Sequence, residues 1–545
     1  MRLSNGRMMC RCILLMVALL AWAGVARAYL VGYPLSLEKL AEESDIIFKG
    51  TAASSGPVED EWFKPYPAGY IPYETRFKIV SMIKGDPPGA TLSFRHYDAG
   101  GPESMMMMYN PQFYRFQKDR TYIVFAKKTA DATTCRQLWK SHKGKMDQGM
   151  QLCSGDQPIT GKTIKEILWN ELAAMLKSPD AGDVIYAISQ MDQMSGDRDA
   201  HGSLQDFDRL TVLAAIHGLM ASPDARIAQA AIAVVGSHNP YSADYLAEVW
   251  LATIGSAEIP GIGQMNPKMK NPGGELYWQE LQAIADGKAP AETRAAAIRA
   301  LGLVREPALR EPINRWLADP DAKVRAAATV LLADFPGTAT NRQLASLAGD
   351  PAPLVRLRVA HVIGFSQQTD LAEVLGKLLA DQDASVRRAA STSLLSFSPK
   401  NAAIASLLQA NLKNPEFSPL FLNALAGENP EPHLDALAQV LEKKIDPTNW
   451  GGGQIPAFTS WKILFKYLKA QSAEALQSGR LDHYLDALEM VGNYSSSEPR
   501  DIYAFYLLNN LPERAKRFRE KAKKAVSYDL DYYFKQVDEH PETYR

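Results

Sequence analysis

This chain is poor in cysteine, nearly balanced in charge and without a long apolar run. Its 545 residues include 4 cysteines, and 60 Lys and Arg stand against 61 Asp and Glu. Such a balance lacks the basic footprint of a nucleic-acid binder. The apolar run from Ile13 to Trp22 is shorter than the ~20 residues a membrane-spanning helix needs, and no later stretch is long enough. Metal and catalytic signatures are also missing. His217, His238 and His361 lie in or beside helical patterns without the His-Glu or His-x-x-x-His partners of a zinc or di-iron site. Gly155–Thr163 looks like a phosphate-binding loop, but its first glycine comes one position too early, and it follows a cysteine loop in place of a buried strand. It reads as a linker, with Thr160 or Thr163 capping a helix over 164–176. No cofactor is expected, and no nucleophile–base pair marks an enzyme.

The N-terminus carries an address. Arg2, Arg7 and Arg11 precede the apolar run, and Ala26-Arg27-Ala28 has the small-x-small form of a signal-peptidase site. Cleavage after Ala28 is expected, placing a mature chain from Tyr29 outside the cytoplasm, in the periplasm or secreted. The leader takes four arginines and no acids with it, leaving 56 basic against 61 acidic residues. Cys10 and Cys12 go too. Cys135 and Cys153 remain, and in an exported chain they are expected to form one disulfide, with an entropic effect of about 3 kcal/mol; two reduced thiols are the alternative.

Residues 29–157 alternate β-rich runs with turns: 45–53 (DIIFKGTAA), 77–83 (FKIVSMI), 90–97 (ATLSFRHY) and 120–127 (RTYIVFAK), with KGDPPG at 84–89. A small barrel is predicted, preceded by a short helix over 36–43 with Ser36 as its N-cap. The succession SDIIFKGTA, IKGDPPG, TLSF and RTYIVFA resembles the netrin-like, metalloproteinase-inhibitor-like OB barrel of exported bacterial proteins, over roughly residues 36–128. In the animal inhibitors of that family an N-terminal cysteine chelates the protease zinc. Tyr29 stands there here, so that chemistry is not carried over. Met105–Met108 offers soft ligands for Cu(I), but neighbouring methionines of an extended segment point apart, and a sticky loop with Met106 and Met108 as partner contacts is the preferred reading.

From residue 158 the period changes from two to helical. Arg294, Arg325, Arg356 and Arg387 are spaced 31 residues apart, and Asp319, Asp350 and Asp381 precede the last three by six. Each Arg begins an Ala-rich apolar stretch. Asp-Pro reads as an N-cap and first helical residue, and the aspartate of one unit is expected to bond the backbone or the arginine of its neighbour, as an internal ladder. This pattern resembles the HEAT family, in the short form also found in phycobilin lyases, over 289–398. The resemblance implies an α-solenoid whose arginines serve inter-repeat packing. The predicted fold is thus multidomain: a signal peptide at 1–28, an all-β OB-like barrel at 29–157, an all-α HEAT-type superhelical solenoid at 158–445, and irregular helical repeats with a capping helix at 446–545.

The period fails at two insertions, 255–274 followed by Tyr277 and Trp278, and 446–458 with Trp450, followed by Trp461. Insertions on solenoids often carry binding, so these aromatics are candidate partner contacts, with irregular packing as the alternative. A basic helix opens at Pro512 and lines Ala515, Phe518, Ala522 and Ala525 on one face, which suits a cap whose charges face water. The function expected is a non-enzymatic scaffold for a protein or peptide partner. The alternatives are an enzyme with its site at the insertions or the barrel–solenoid junction, and a protease inhibitor acting through the barrel.

Overall fold

The computed structural model of the chain describes residues 33–34, 36–64, 70–86, 89–99, 114–139, 145–146, 150–195, 206–236, 272–302, 307–442, 454–489, 497–525 and 530–544. The leader, Met105–Met108, His238, Trp450 and most of each insertion lie outside these residues. Among the described residues the chain forms two compact units: one takes everything up to Gly236 together with Pro272–Leu281, the other everything from Gln282 onward.

The first unit begins with β-structure, as the period-two runs demand. Its strands are β1 (Tyr33–Pro34), β2 (Ile46–Pro57), β3 (Tyr70–Lys84), β4 (Thr91–Ala99), β5 (Thr121–Lys128), β6 (Thr134–Arg136), β7 (Lys145–Met146) and β8 (Met150–Leu152), with helix α1 (Leu37–Glu43) before β2. Strands β2, β3, β4, β6 and β5 are joined in that order and β5 pairs back onto β2, closing a five-stranded barrel. So tight a closure requires bending, which register shifts in the β2–β3 ladder at Ile47/Phe48, Lys49/Gly50 and Ala52/Ser54 supply. Gly50 sits at one of them, where a Cβ would stand 3.1 Å from the Lys78 carbonyl oxygen. Phe48, Phe77, Phe94, Tyr114, Tyr122 and Val124 fill the interior.

Four helices follow the barrel in this unit: α2 (Ile164–Met175), α3 (Ala181–Ser195), α4 (Arg209–Ile216) and α5 (Ala225–Gly236). Thr163 starts α2: its hydroxyl accepts from the Glu166 N–H while the Glu166 carboxylate accepts from the Thr163 N–H. Helix α6 (Pro272–Asp286) is kinked at Tyr277 (φ −115°, ψ 17°).

The second unit continues as paired helices: α7 (Ala291–Gly302), α8 (Arg310–Leu317), α9 (Ala322–Leu331), α10 (Thr338–Leu347), α11 (Pro353–Phe365), α12 (Ala372–Leu378), α13 (Ala384–Leu395), α14 (Ala402–Ala410), α15 (Ser418–Glu428) and α16 (Leu434–Glu442). It ends with α17 (Gln454–Lys469), α18 (Ala473–Gln477), α19 (Asp482–Leu488), α20 (Ser497–Leu508), α21 (Pro512–Ala525) and α22 (Asp531–Glu539). The architecture is therefore a barrel followed by a helical solenoid. Helices α7, α9, α11 and α13 form one row, each packed on the next. Val324, Val355 and Val386, one register apart, are fully buried. Small residues bring the row close: a Cβ on Gly364 of α11 would stand 2.6 Å from Ser393 Cβ of α13. Among the described residues no helix is long and apolar enough to cross a membrane.

Candidate functional site

The repeating arginines sit in the first turn of each row helix and reach the next repeat. Arg294 donates to Asp319 at 2.6 and 3.1 Å, Arg325 to Asp350 at 2.9 and 2.9 Å, and Arg356 to Asp381 at 2.7 and 2.8 Å. These are two-pronged pairs that match the planar guanidinium to the carboxylate. The remaining nitrogen turns back: Arg356 Nη1 donates to the Asp350 and Pro351 carbonyls at 2.8 and 3.2 Å. Arg387 ends the series on Glu416, at 2.8 Å. The Arg356 hydrogen bond holds the Asp381 carboxyl below its usual range, against the opposing effect of burial. With side chains of Arg356 and Asp381 only 15% and 8% exposed, these arginines are spent inside the stack and are not open to an anionic ligand.

The Asp-Pro pair is not the N-cap. Asp319 Oδ1 accepts the Asp321 N–H at 2.9 Å, closing a turn, and the helix starts two residues later, capped by Asp321. The same shift recurs at Asp381 and Asp383. An aspartate already holding an arginine and its own i+2 N–H has its oxygens occupied, so the cap falls to Asp321 and Asp383, while α11 starts after Ala352 with no side-chain cap.

A second face of the row helices carries exposed and half-buried side chains. Its stripe runs at 292 and 299 on α7, 323 and 330 on α9 and 334 in the turn after it, 354, 358, 361 and 365 along α11, and 385 and 388 on α13 with 396 just past its end. Glu292 and Lys323 pair across α7 and α9. Two registers on, that charge pair gives way to Leu354 and Ser385. On α11, Leu354 is 38% exposed and Phe365 64%, with half-buried Arg358 and His361 between them. Arg388 of α13 is exposed.

The aromatic candidates are placed differently from one another. Trp461 is 5% exposed and sits in the core of the C-terminal helices, stacked on Phe465 at 5.0 Å, so it does not offer a partner surface. Its place in an apolar α17 face, and not in the insertion, decides this. Tyr277 is half-buried with its ring edge-on to His217 at 4.6 Å, and Trp278 is half-buried beside it. Trp450, Met106 and Met108 fall outside the described residues. On the C-terminal basic helix α21, Ala515, Phe518 and Ala522 are buried while Lys516, Arg517, Lys521 and Lys524 are exposed. Others of its charges are paired: Arg514 donates to Asp486 at 2.6 Å and Asp482 at 2.8 Å, Arg519 to Asp538 at 2.8 Å, and Lys523 pairs with Asp531 at 2.5 Å.

The expected disulfide is absent. Cys135 and Cys153 are both free and buried. Cys135 lies opposite Lys128 and the Cys153 N–H bonds the Thr121 carbonyl, which are the two ends of β5. Seven residues of strand at about 3.3 Å each hold them some 23 Å apart, far beyond the ~7 Å Cα limit of a disulfide. Burial pushes both thiols upward.

Two polar clusters in the first unit escaped sequence reasoning. Lys49 of β2 is fully buried. Its ammonium donates to Glu171 of α2 at 2.6 Å and to the Gln157 carbonyl at 2.8 Å, and the other Glu171 oxygen accepts from the Ser154 hydroxyl at 3.0 Å. This pins the barrel to its first helix. The one available signal was a lysine inside the apolar run IIFKGTA. The second cluster is a string: Ser55 Oγ, Thr75 Oγ1 at 2.8 Å, His96 Nε2 at a further 2.8 Å, and His96 Nδ1 to the Tyr97 carbonyl at 3.0 Å. That carbonyl fixes the proton on Nδ1, so Thr75 donates to Nε2 and Ser55 to Thr75. Burial lowers the His96 pKa to about 4, which makes it a weak acceptor for a serine proton. Among the described residues no cluster of His, Cys, Asp and Glu is arranged to hold a metal.

Comparison with known proteins bears on the fold. No curated protein matches the chain. Among solved structures, the YibA protein of Escherichia coli is 16% identical with a TM-score of 0.32, covering 56% of this chain and 94% of its own. An engineered protein is 14% identical with a TM-score of 0.29, covering 66% of this chain and 100% of its own. Residues 341–420, from α10 to the start of α15, match the family of HEAT repeats.

Proposed function

We propose that this chain is a non-enzymatic scaffold, placed outside the cytoplasm, that holds a protein or peptide partner on its solenoid surface. One observation carries the reading. The ladder arginines are consumed within the stack, while the neighbouring open face leaves Leu354 and Phe365 exposed on a single stripe. A helix facing only water does not need either residue, and stacked repeats present such faces as extended binding surfaces. The match of residues 341–420 to HEAT repeats supports the same reading. Placement outside the cytoplasm rests on the leader at 1–28, and the netrin-like character of the barrel on its strand order and turns. The test is a pull-down from native extract with the full mature chain. A partner recovered in stoichiometric amount is expected, and its absence overturns the proposal. Deleting 446–458 separates the insertion from the solenoid face: retained capture removes the insertion from the binding surface.

A further inference from the structure

The outer side of the barrel carries Arg95, Arg136 and Lys127 in one row. Arg136 of β6 lies opposite Arg95 of β4 in one ladder and opposite Lys127 of β5 in the other. Side chains alternate along a strand, and Phe94 and Cys135 belong to the interior, so Arg95 and Arg136 point outward together. Two of the row are paired. Arg95 donates to Asp60 at 2.9 Å and to Glu74 at 3.0 Å, and Lys127 reaches Asp45 at 3.5 Å. Arg136 is not: among the described residues no carboxylate or carbonyl accepts from its guanidinium. Other acids of these segments do not fill the gap. Asp131 accepts from the Thr133 and Thr134 hydroxyls, Glu61 holds Lys64 at 2.6 Å, and Glu59 is exposed and pairs with no cation.

What Arg136 has is a platform. Its guanidinium carbon stands 4.4 Å from the centre of the Trp62 ring, a stacking that suits the arginine plane. The ring is fixed from below. The Trp62 N–H donates to Asp60 at 2.9 Å, Phe63 packs edge-on against the indole at 4.7 Å, and the Tyr97 hydroxyl donates to the Phe63 carbonyl at 2.7 Å. Phe63 and Tyr97 are fully buried. Of the guanidinium nitrogens of Arg136 only Nε is shut off from solvent, and it has no acceptor. The end that carries Nη1 and Nη2 is the one a ligand reaches, and its parallel N–H groups match the two oxygens of a carboxylate.

The surroundings set the charge of that ligand. Asp60 and Glu74 together outweigh Arg95, and a doubly charged phosphate is opposed by them about twice as strongly as a carboxylate. We infer that Arg136 on Trp62 is a carboxylate-binding site of the barrel, which takes an acidic side chain or the C-terminus of a peptide. It lies on the first unit, and the scaffold reading of the solenoid stands or falls without it.

The test uses the full chain and three short peptides observed by saturation-transfer NMR: a glycine peptide blocked at both ends with glutamate at its centre, a glycine peptide with a free C-terminal carboxylate, and the blocked peptide with glutamine in place of glutamate. Saturable binding is expected from at least one carboxylate peptide, and the tighter of the two tells a side chain from a chain end. Affinity falls about fivefold or more in R136Q, and also in R136K, where the charge stays but the planar fork is lost. Inorganic phosphate at equal concentration does not displace the peptide. The inference is overturned if neither carboxylate peptide binds saturably, if the glutamine peptide binds equally, if affinity is unchanged in R136Q or R136K, or if phosphate displaces the peptide at equal concentration. Arg136 makes no hydrogen bond within the described chain, so neither variant strands a partner, and a thermal midpoint shared with the parent shows that each folds.

Discussion

Removing Arg356 tests how much one rung contributes. Its guanidinium makes two charge-assisted bonds to Asp381 and two to the carbonyls of Asp350 and Pro351. R356A leaves a carboxylate that is 8% exposed without its partner, and breaking such a half-buried pair costs about 3–5 kcal/mol. D381A leaves the guanidinium unpaired and also frees the Asp383 N–H, for a cost of the same order. In the double variant neither charge is stranded, so the two effects do not add, and the coupling energy comes to about 2–3 kcal/mol. Urea unfolding, followed by amide exchange in α11 and α13, reads these values on the elements that carry the rung. R388A, at an exposed position, shifts stability by no more than about 0.5 kcal/mol. The pH dependence has a defined sign. Asp381 is held below its ordinary pKa, so the stability it contributes is present above the unfolded value of about 3.9 and is lost as pH falls through the lower folded value. A coupling energy near zero, or an R356A cost below about 1 kcal/mol, refutes the ladder as the internal frame.

Further expectations follow from the first unit. K49M strands Glu171 in a buried site and destabilises by about 3–5 kcal/mol, while K49M combined with E171L recovers most of that loss, since neither charge then remains unpaired; chemical denaturation measures both. His96 has a folded pKa of about 4 against about 6.5 unfolded, so its contribution is present above pH 6.5 and is lost as pH falls toward 4, by up to roughly 3 kcal/mol. An H96Q chain whose acid-unfolding curve still shows that loss refutes the assignment. Cys135 and Cys153 are free, so alkylation of denatured chain without reductant labels both in a peptide map, and protection of the pair contradicts the barrel register.

The solenoid was legible because a strict register of 31 residues repeats a chemical unit as well as an apolar pattern. The start of each row helix was misplaced by two residues, because Asp319 serves an arginine and a turn at once, and sequence shows only that an acid precedes a proline. Cys135 and Cys153 are neighbours in sequence, yet β5 runs its full length between them. Lys49 meets Glu171 across 122 positions, a separation at which no local pattern speaks. Trp461 was legible as an aromatic beside an insertion, but its direction depends on the packing of α17. Leu354 and Phe365 pass for ordinary members of an apolar helix until the register shows which side of α11 the core uses.

The proposed partner surface is the face of α11 that leaves Leu354 and Phe365 exposed, and not the arginine ladder. It is tested most directly by capturing the partner from native extract on three immobilised chains: the parent, the double variant L354S/F365S, and R294K, which alters a ladder position. Stoichiometric capture is expected with the parent and with R294K, and loss of capture with L354S/F365S at an unchanged thermal midpoint. Full capture by L354S/F365S contradicts the proposal.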